Sequence, residues 1–505
     1  MRPITAPSRA ALVALAPALL PALLGAGLFA LLAGGVLFAP QAPLFGTDIY
    51  DRLYLALVGE GRFDLPPRVL RLEGHYTPDG TGYLYHGLAP LLTRLAAGWA
   101  VDLSRVSLAG VSVWLWAGLG TALWHLTLDG VLGQGMATSR RRRGWARLGL
   151  AVLVWLAGPG LLVAANHALF HEPLAVAYAA VAGIAWLLVA VARGRLSLGA
   201  ALPLLALGAG LVLHARPHLA PGLFAAVVAL VGLDLWRRRR AGLAVAALTL
   251  LVLAGAGALL LWLNLARFGD PWLMHGSFAP SGLQYGTYFW GGEDPAGPRA
   301  QAFEAEGRFS PWRLPANLFI HLFDLRLGGP LAPVSEAIGA IFEGLKGGVG
   351  EIRLDGPWTG MAYLWPLWLL LAGVGLGAAM TRHPVILIGL GGLLAGTLLM
   401  LCYPTVTLRY KVDMVGPLGL LAACGLVRLG PWLAALPARR AARVGRLGGL
   451  LIALGALFSL ATAHDYAQAF LTDWQVFRPW SLGECLDMAR ARGFDEARAA
   501  VLCRP

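Results

Sequence analysis

The sequence predicts an all-α polytopic membrane protein with about eleven transmembrane helices. The chain has 505 residues, of which 58% are hydrophobic and only 13% are charged, whereas about a quarter of the residues in a soluble domain are charged. Apolar runs of roughly 17 to 25 residues, long enough to cross the bilayer as helix, recur along most of the chain. Basic clusters fall in alternate connections between these runs. Together these observations exclude a soluble fold.

The predicted helices begin near residues 10, 106, 148, 173, 197, 220, 241, 361, 384, 412 and 447. The first run, about 10 to 38, is too long for a cleavable signal peptide and is predicted to span the membrane. Two connections are long, 39–104 and 264–360, and the second lies between helices 7 and 8. Residues 1–463 are therefore predicted to form a transmembrane domain, and residues 464–505 a periplasmic tail.

Arginine-rich segments predict the orientation. These segments are 139–147, 192–195, 237–240, 381–383 and 428–446, and with the N-terminal arginines they hold nearly half of the 40 Lys and Arg residues. The positive-inside rule places them in the cytoplasm, so the N-terminus is predicted to be cytoplasmic and the C-terminus periplasmic in a bacterial inner membrane. Because short topology-setting loops account for much of the net charge of +13, we expect membrane lipids and no nucleic acid as partners.

The four cysteines divide into two pairs. Cys402 and Cys424 lie in apolar helices and are predicted to be inert core residues, whereas Cys485 and Cys503 lie in the polar tail. Because the periplasm can oxidise thiols, we predict a Cys485–Cys503 disulfide.

The first long loop begins with an amphipathic pattern. Apolar residues recur at four-residue spacing from Ile49 to Leu57, and Asp48, Asp51 and Arg52 fall on the other face. This pattern predicts an interfacial helix lying flat on the outer leaflet. Asp48 stands at its start, where a carboxylate also suits a helix cap, so a purely structural role for Asp48 stays open.

The second long loop mixes glycine and proline with aromatic residues. Its segment 310–329 is predicted to form a short amphipathic helix with Leu318, Phe319, Leu322 and Phe323 on one face. A loop of this length is typical of a lid or a substrate platform.

Ionisable residues gather where several predicted helices meet the periplasm, in segments 72–92, 168–175, 214–221, 264–276 and 407–417. All lie on one predicted membrane face, so we expect them to converge in a single cleft. A carboxylate can accept the proton of an attacking hydroxyl, and cations can offset the charge on a departing phosphate. Group transfer from an anionic lipid carrier would use this set, because the membrane also holds the lipid chains.

The segments "GYLYHGLAPLL" (82–92), "FHEP" (170–173), "HARPHL" (214–219), "NLARFGDPWLMHG" (264–276) and "LRYKVDMVGP" (408–417) resemble short signatures of bacterial membrane proteins in the GT-C class. That class contains polyprenyl-phosphate-dependent glycosyltransferases, among them protein O-mannosyltransferases and lipid A aminoarabinose transferases. The layout of one helix, an acidic loop with an interfacial helix and many further spans is also similar. The resemblance covers about residues 40 to 420.

The resemblance implies roles for three acids. An acid in the first outer loop is the usual candidate base of the class, which implies Asp48, with Asp51 as the alternative. An acid in the second outer loop often assists, and Glu172 matches it. Many relatives have adjacent Asp and Glu in the first loop, whereas Ile49 follows Asp48 here, so the choice between the two aspartates stays open.

Other residues are expected to bind the substrates. Charge and resemblance imply that the lipid phosphate is held by Arg216, His218, Arg409 and Lys411. His171, beside Glu172, is expected to contact substrate. A further group forms either an acceptor-binding ledge or a set of interface anchors, and consists of His75, Tyr83, Tyr85 and His86.

The expected reaction moves a sugar from a polyprenyl-phosphate donor to a glycan, lipid or protein acceptor at the periplasmic face, with inversion at the anomeric carbon. The second outer loop lacks Asp-x-Asp, so no metal site or other cofactor is expected, although dependence on a divalent metal stays open. One alternative is a protein that binds or translocates lipid-linked glycans without chemistry of its own. Another is a structural partner in an envelope complex.

Overall fold

The structure is a computed structural model that describes residues 9–36, 38–135, 140–278, 282–294, 296–474 and 477–504. Ser139, the first residue of one predicted basic segment, lies outside this part. The described chain is predominantly helical, and its strands are only two residues long. The all-α class predicted from the sequence is thus confirmed for the described residues.

The first half of the chain contains α1 (Arg9–Ala33), α2 (Ile49–Glu60), α3 (Pro67–Leu70), α4 (Leu91–Ala97), α5 (Ala109–Gly135), α6 (Arg140–Trp155), α7 (Pro159–Ala164), α8 (His171–Ala192), α9 (Leu198–Leu213), α10 (Ala220–Arg238) and α11 (Leu243–Phe268). The second half contains α12 (Gly286–Phe289), α13 (Pro298–Glu306), α14 (Leu314–Phe323), α15 (Ala332–Lys346), α16 (Met361–Leu364), α17 (Pro366–Leu376), α18 (Pro384–Leu401), α19 (Leu408–Asp413), α20 (Val415–Ala435), α21 (Ala438–Ala467), α22 (Leu482–Ala491) and α23 (Glu496–Leu502).

Within the described residues, seven helical segments are long and apolar enough to cross a membrane. One of them, Pro217–Phe268, includes both α10 and α11. Shorter apolar helices are Leu20–Ala33, Leu198–Leu213 and Pro366–Leu376. Helices therefore lie at each of the predicted positions, while length and composition support a multi-pass protein without fixing the predicted number of eleven spans.

Small residues allow the central helices to approach closely. Gly375 of α17 and Gly425 of α20 lie at the contact between these helices, where an added Cβ on either glycine would collide with the backbone of the other helix. Close backbone approach of this kind is typical of helix packing in membranes. Trp124 and Trp368 fill the same core and meet edge to face, with ring centroids 6.2 Å apart.

Short strands join the loops on one side of the bundle. The strand β1 (His75–Tyr76) pairs in antiparallel register with both β2 (Gly82–Tyr83) and β3 (Gln284–Tyr285). The strand β4 (Arg353–Leu354) pairs in parallel with β5 (Thr405–Val406). Both long loops are thereby tied to each other and to the segment before α19.

The second long loop differs from the prediction for segment 310–329. Here α14 ends at Phe323, the backbone leaves the helical conformation at Asp324, and α15 forms a separate helix. Further along, Gly329 adopts a positive φ of 60°, which suits glycine, in the segment before α15.

The C-terminal tail packs on the first long loop. The helix α21 continues to Ala467 with Tyr466 buried, four residues beyond the predicted end of the transmembrane domain at 463. The predicted disulfide is present, with an S–S distance of 2.04 Å between Cys485 and Cys503. Arg498 binds Asp79 of the first loop at 2.5 Å.

Candidate functional site

A cavity of about 230 Å³ opens where both long loops meet the ends of α9, α18 and α19. Parts of segments 72–75, 85–86, 215–218, 275–309, 353–355, 400–410 and 470–477 line it. The predicted site residues that line this cavity are His75, Tyr85, His86, Arg216, His218 and Arg409. Separate segments thus converge as expected, but only some of the predicted residues take part.

Arg409 is held between two aromatic rings in this cavity. Its guanidinium carbon lies 4.0 Å from the ring centre of Phe170 and 5.1 Å from that of Phe470. Its Nη1 is buried and has no hydrogen-bond partner among the described residues. A fixed cation with an unused donor is suited to bind an anionic group.

Phe470 reaches this position with an unusual backbone. Its φ is 66°, in the left-handed region that residues with a side chain seldom adopt. The surrounding structure holds it there, because its carbonyl accepts from the amide of Phe45 at 2.8 Å and its ring packs 5.4 Å from that of Phe477. Strain of this kind is concentrated at functional sites, so it points to a role for the Phe470 ring.

Glu73 is an acid of the cavity that the sequence analysis did not single out. It ends the 3₁₀ turn Arg71–Glu73 and is half-buried. No hydrogen bond or ion pair with the other described residues engages its carboxylate. Burial raises the pKa of Glu73, and the nearby charges of Arg409 and Arg353 act in the opposite direction. An unpaired carboxylate with a raised pKa is suited to accept a proton.

Arg216 and His218 lie together beside Asp413. Arg216 donates to both carboxylate oxygens of Asp413, through Nε at 3.2 Å and through Nη2. His218 Nε2 lies 3.2 Å from Oδ2 of the same carboxylate. The charge of Arg216 and the bond to His218 lower the pKa of Asp413 despite its burial. This pairing orients Arg216 towards the cavity and partly neutralises it.

A cluster of imidazole and phenol rings forms another wall. The rings of His75 and Tyr85 stack 4.5 Å apart, and those of Tyr85 and His86 lie 4.0 Å apart. The amide of Gly276 donates to His75 Nδ1 at 3.1 Å, which leaves the proton of a neutral His75 on Nε2. Burial lowers the pKa of His75 and His86, and that of His275 to about 3. These imidazoles are therefore neutral near pH 7.

Three further arginines line the cavity, and two of them pair with acids. Nη1 of Arg299 donates to Glu293 at 3.1 Å and 3.2 Å, and Nε of Arg353 donates to Asp355 at 2.9 Å. Arg308 donates to the carbonyl of Gly276 at 2.9 Å and makes no ion pair within the described chain. Among the described lining residues five are arginines and two, Glu73 and Asp355, are acids. The lining is therefore net positive.

Asp48, the predicted base, lies outside this lining. It precedes α2 without making a side-chain cap, its side chain is 47% exposed, and it accepts from Arg52 Nε at 2.6 Å. This is an exposed pair one helical turn apart. The structure corrects the expectation that Asp48 lies in the cleft.

Asp51 and Glu172 also lie outside the lining, in a buried ion cluster with Arg94. Arg94 Nε donates to Asp51 at 2.9 Å and Arg94 Nη2 donates to Glu172 at 3.0 Å. All three side chains are at most 1% exposed. The expectation that Asp51 lies on the polar face of α2 is wrong, because Arg94 of α4 pairs with it inside the protein. The contacts indicate that these two acids stabilise the fold.

The remaining predicted residues occupy other environments. Lys411 is buried beside Asp324, and burial lowers its pKa to about 8. His171 Nε2 bonds to the hydroxyl of Tyr466 at 2.6 Å. Tyr83 packs edge to face against Phe268 at 5.6 Å. None of these three side chains lines the described cavity.

Several cavity residues were missed from the sequence: Glu73, His275, Tyr285, Arg308, Arg353, Asp355 and Tyr403. Glu73 and His275 fall within segments that the sequence analysis marked as polar, "LEGHY" and "LMHG". The others lie in loops whose pairing depends on β3, β4 and β5. In the described part of the chain, no group of three or more His, Cys, Asp or Glu residues is arranged to hold a metal ion.

The cavity therefore combines an unpaired carboxylate, a partly unpaired guanidinium and a wall of neutral rings. Such a set can bind an anionic group, hold a polar ring and accept a proton. No family model, curated protein or solved structure matches the chain. The resemblance to the GT-C class stays a prediction.

Proposed function

We propose that this protein is a GT-C-type membrane glycosyltransferase that moves a sugar from a polyprenyl-phosphate donor to an acceptor hydroxyl. We place it in a bacterial inner membrane, with about eleven spans and the cavity on the periplasmic side. The observation that carries the proposal is the presence of Glu73 and Arg409 in one net positive cavity, each with unused bonding capacity. A base and an anion site are what this transfer needs.

The donor phosphate binds at Arg409, with Arg308 as a second cation. Arg409 has a buried Nη1 without a partner, and Arg308 lines the same cavity without an ion pair among the described residues. No carboxylate of the described residues pairs with these two arginines, whereas Arg216 forms an ion pair with Asp413. Charge-assisted bonds to phosphate oxygens stabilise the negative charge that develops as the phosphate leaves.

Glu73 acts as the general base. The acceptor oxygen attacks the anomeric carbon, and its proton passes to the Glu73 carboxylate. The bond between the anomeric carbon and the phosphate oxygen breaks, and its electron pair leaves with the polyprenyl phosphate. Attack opposite the leaving group inverts the anomeric configuration. Asp355 is less suited to this role because Arg353 already engages it at 2.9 Å.

The ring wall of His75, Tyr85 and His275 binds the sugar. Aromatic faces pack against the apolar face of a pyranose, and neutral imidazole nitrogens exchange hydrogen bonds with hydroxyl groups. Nε2 of His86 is buried and makes no hydrogen bond within the described residues, so it is free to bond to a substrate hydroxyl. A neutral wall also keeps the cationic attraction concentrated on the phosphate.

The test is to incubate the purified protein with a defined polyprenyl-phosphate sugar and a cell-envelope acceptor fraction. Mass spectrometry follows the donor and the free polyprenyl phosphate. The proposal predicts release of polyprenyl phosphate and a matching gain of one sugar on the acceptor. If the donor is recovered intact after incubation with both the protein and the acceptor, the result would instead support a binding or translocating protein.

A further inference from the structure

A second depression lies at the other end of the helix bundle from the cavity. Arg193, Arg382, His383 and the apolar side chains of 192, 379, 380 and 427 line it, and its volume is about 480 Å³. The helix α8 runs from His171, which follows the cavity residue Phe170, to Ala192, which lines this depression. Likewise α18 begins after His383 and ends before Tyr403 of the cavity. The two sites are therefore separated by the length of these helices.

The charge of this depression is unbalanced. Neither Arg193 nor Arg382 makes a hydrogen bond or ion pair through its side chain with the other described residues. No described acid lines the depression. The charges that act on its members are also cationic, Arg195 on Arg193 and Arg237 on His383. Like charges gathered without a counter-ion favour binding of an anion.

His383, which lines the depression, also has a ring nitrogen without a partner among the described residues. His383 Nδ1 is buried and has no hydrogen-bond partner in the described part of the chain. Buried polar atoms are normally satisfied, so this nitrogen indicates a ligand that donates or accepts there. Backbone bonds hold the segment in place, since the His383 amide donates to the Met380 carbonyl at 3.1 Å and Thr381 Oγ1 donates to the Gly375 carbonyl at 2.6 Å.

Exposed leucines lie close to the lining residues along the chain. Leu376, at the end of α17, is 66% exposed, and Leu387, in the first turns of α18, is 57% exposed. These leucines belong to apolar helices of a multi-pass membrane protein, so acyl chains are expected to cover them. A ligand that binds both the arginines and the apolar lining residues carries a negative charge and hydrocarbon chains together.

We propose that this depression is a binding site for an anionic membrane phospholipid, with its phosphate between Arg193 and Arg382. Basic pockets between membrane helices are suited to such headgroups. The site is independent of the sugar transfer proposed above, because it shares no lining residue with the cavity. It is expected to stabilise the junctions between α8, α18 and α20.

The experiment measures lipid binding to purified, delipidated protein by native mass spectrometry. Phosphatidylglycerol and phosphatidylcholine are titrated separately, and inorganic phosphate is then added as a competitor of bound phosphatidylglycerol. The test variant is Arg193→Gln with Arg382→Gln, and the control removes two exposed arginines of α21, Arg439→Gln with Arg440→Gln. Since each arginine near a membrane surface contributes about fivefold to anionic lipid binding, the test variant should bind phosphatidylglycerol about 25-fold more weakly.

The control variant should bind phosphatidylglycerol like the unaltered protein, and Arg193→Lys with Arg382→Lys should retain most of the affinity. Binding by the test variant within twofold of the control would overturn the proposal. Equal binding of phosphatidylcholine would also overturn the proposal, because it would show that the site does not recognise negative charge. Full competition by inorganic phosphate would overturn it as well, because it would show that acyl chains are not needed for binding.

Discussion

Replacement of Arg94 by methionine is expected to destabilise the protein by about 3 to 5 kcal/mol. Arg94 is fully buried and pairs with Asp51 and Glu172, which are also buried. Methionine fills a similar volume but leaves two carboxylates without a counter-ion. Removing one partner of a buried ion pair lowers the free energy of unfolding by more than the pair itself contributes, because the remaining charge is neither solvated nor paired.

The contacts indicate which of the two carboxylates loses more hydrogen-bond donors when Arg94 is replaced. Asp51 keeps a bond from Ser107 Oγ at 2.8 Å and a longer one from the Leu108 amide at 3.4 Å after Arg94 is removed. Glu172 loses both Nη donors of Arg94. Restoring neutrality with Glu172→Gln in the Arg94→Met background should therefore recover part of the lost free energy of unfolding.

The assay is reversible unfolding of the purified protein in mixed micelles, with the free energy of unfolding extrapolated to zero denaturant. Asp48→Asn is the matched control, because it breaks an exposed ion pair with Arg52 and should cost less than about 1 kcal/mol. A loss below about 1 kcal/mol for Arg94→Met would refute the structural role assigned to the cluster. Loss of sugar transfer in a fully folded Glu172→Gln protein would return Glu172 to the mechanism.

Three further outcomes follow from the same contacts. Burial raises the pKa of Glu73, and Glu73 must be ionised to act as a base, so the transfer rate should rise with pH through that raised pKa. The contribution of Glu73 to folding stability has the opposite sign: it is present below the pKa of an unfolded Glu, about 4.3, and is lost as pH rises through the folded pKa. A pH–rate profile that is flat across the acidic range would contradict this. Serine at both Cys485 and Cys503 should destabilise the tail by about 3 kcal/mol, measured as faster limited proteolysis after residue 467, and an unchanged cleavage rate would contradict it. Phe470→Ala removes one ring from Arg409, so donor binding should weaken about fivefold in a titration where Phe470→Tyr changes little; equal affinities for the two variants would remove the ring from the site.

The membrane architecture could be predicted from the sequence because it depends on local composition. A run of apolar residues long enough to span the bilayer must satisfy its backbone as helix, whatever its neighbours are. The amphipathic pattern from Ile49 to Leu57 likewise predicted a helix, and α2 spans Ile49–Glu60; its position at the membrane surface stays a prediction. Its buried face was assigned incompletely, because the burial of Asp51 depends on Arg94, which lies 43 residues away.

The candidate site was only partly predictable for related reasons. Arg216, His218 and Arg409 lie at helix ends that meet in the cavity. Their convergence was predicted because all three lie where predicted helices meet the same membrane face. Lys411 lies two positions after Arg409 on α19, which turns its side chain about 200° around the helix and away from the cavity. Glu73 lies in a short 3₁₀ turn without periodicity, so no sequence pattern marks the direction of its carboxylate.

The most direct test of the central claim is the turnover of Glu73→Gln compared with that of Glu336→Gln, an exposed glutamate of α15. Both proteins are supplied with the same polyprenyl-phosphate sugar and acceptor, and donor binding is measured in parallel. The account predicts that Glu73→Gln binds the donor with near-normal affinity and transfers sugar 10²- to 10⁴-fold more slowly, roughly the contribution of a general base. Turnover by Glu73→Gln equal to that of Glu336→Gln would contradict the account.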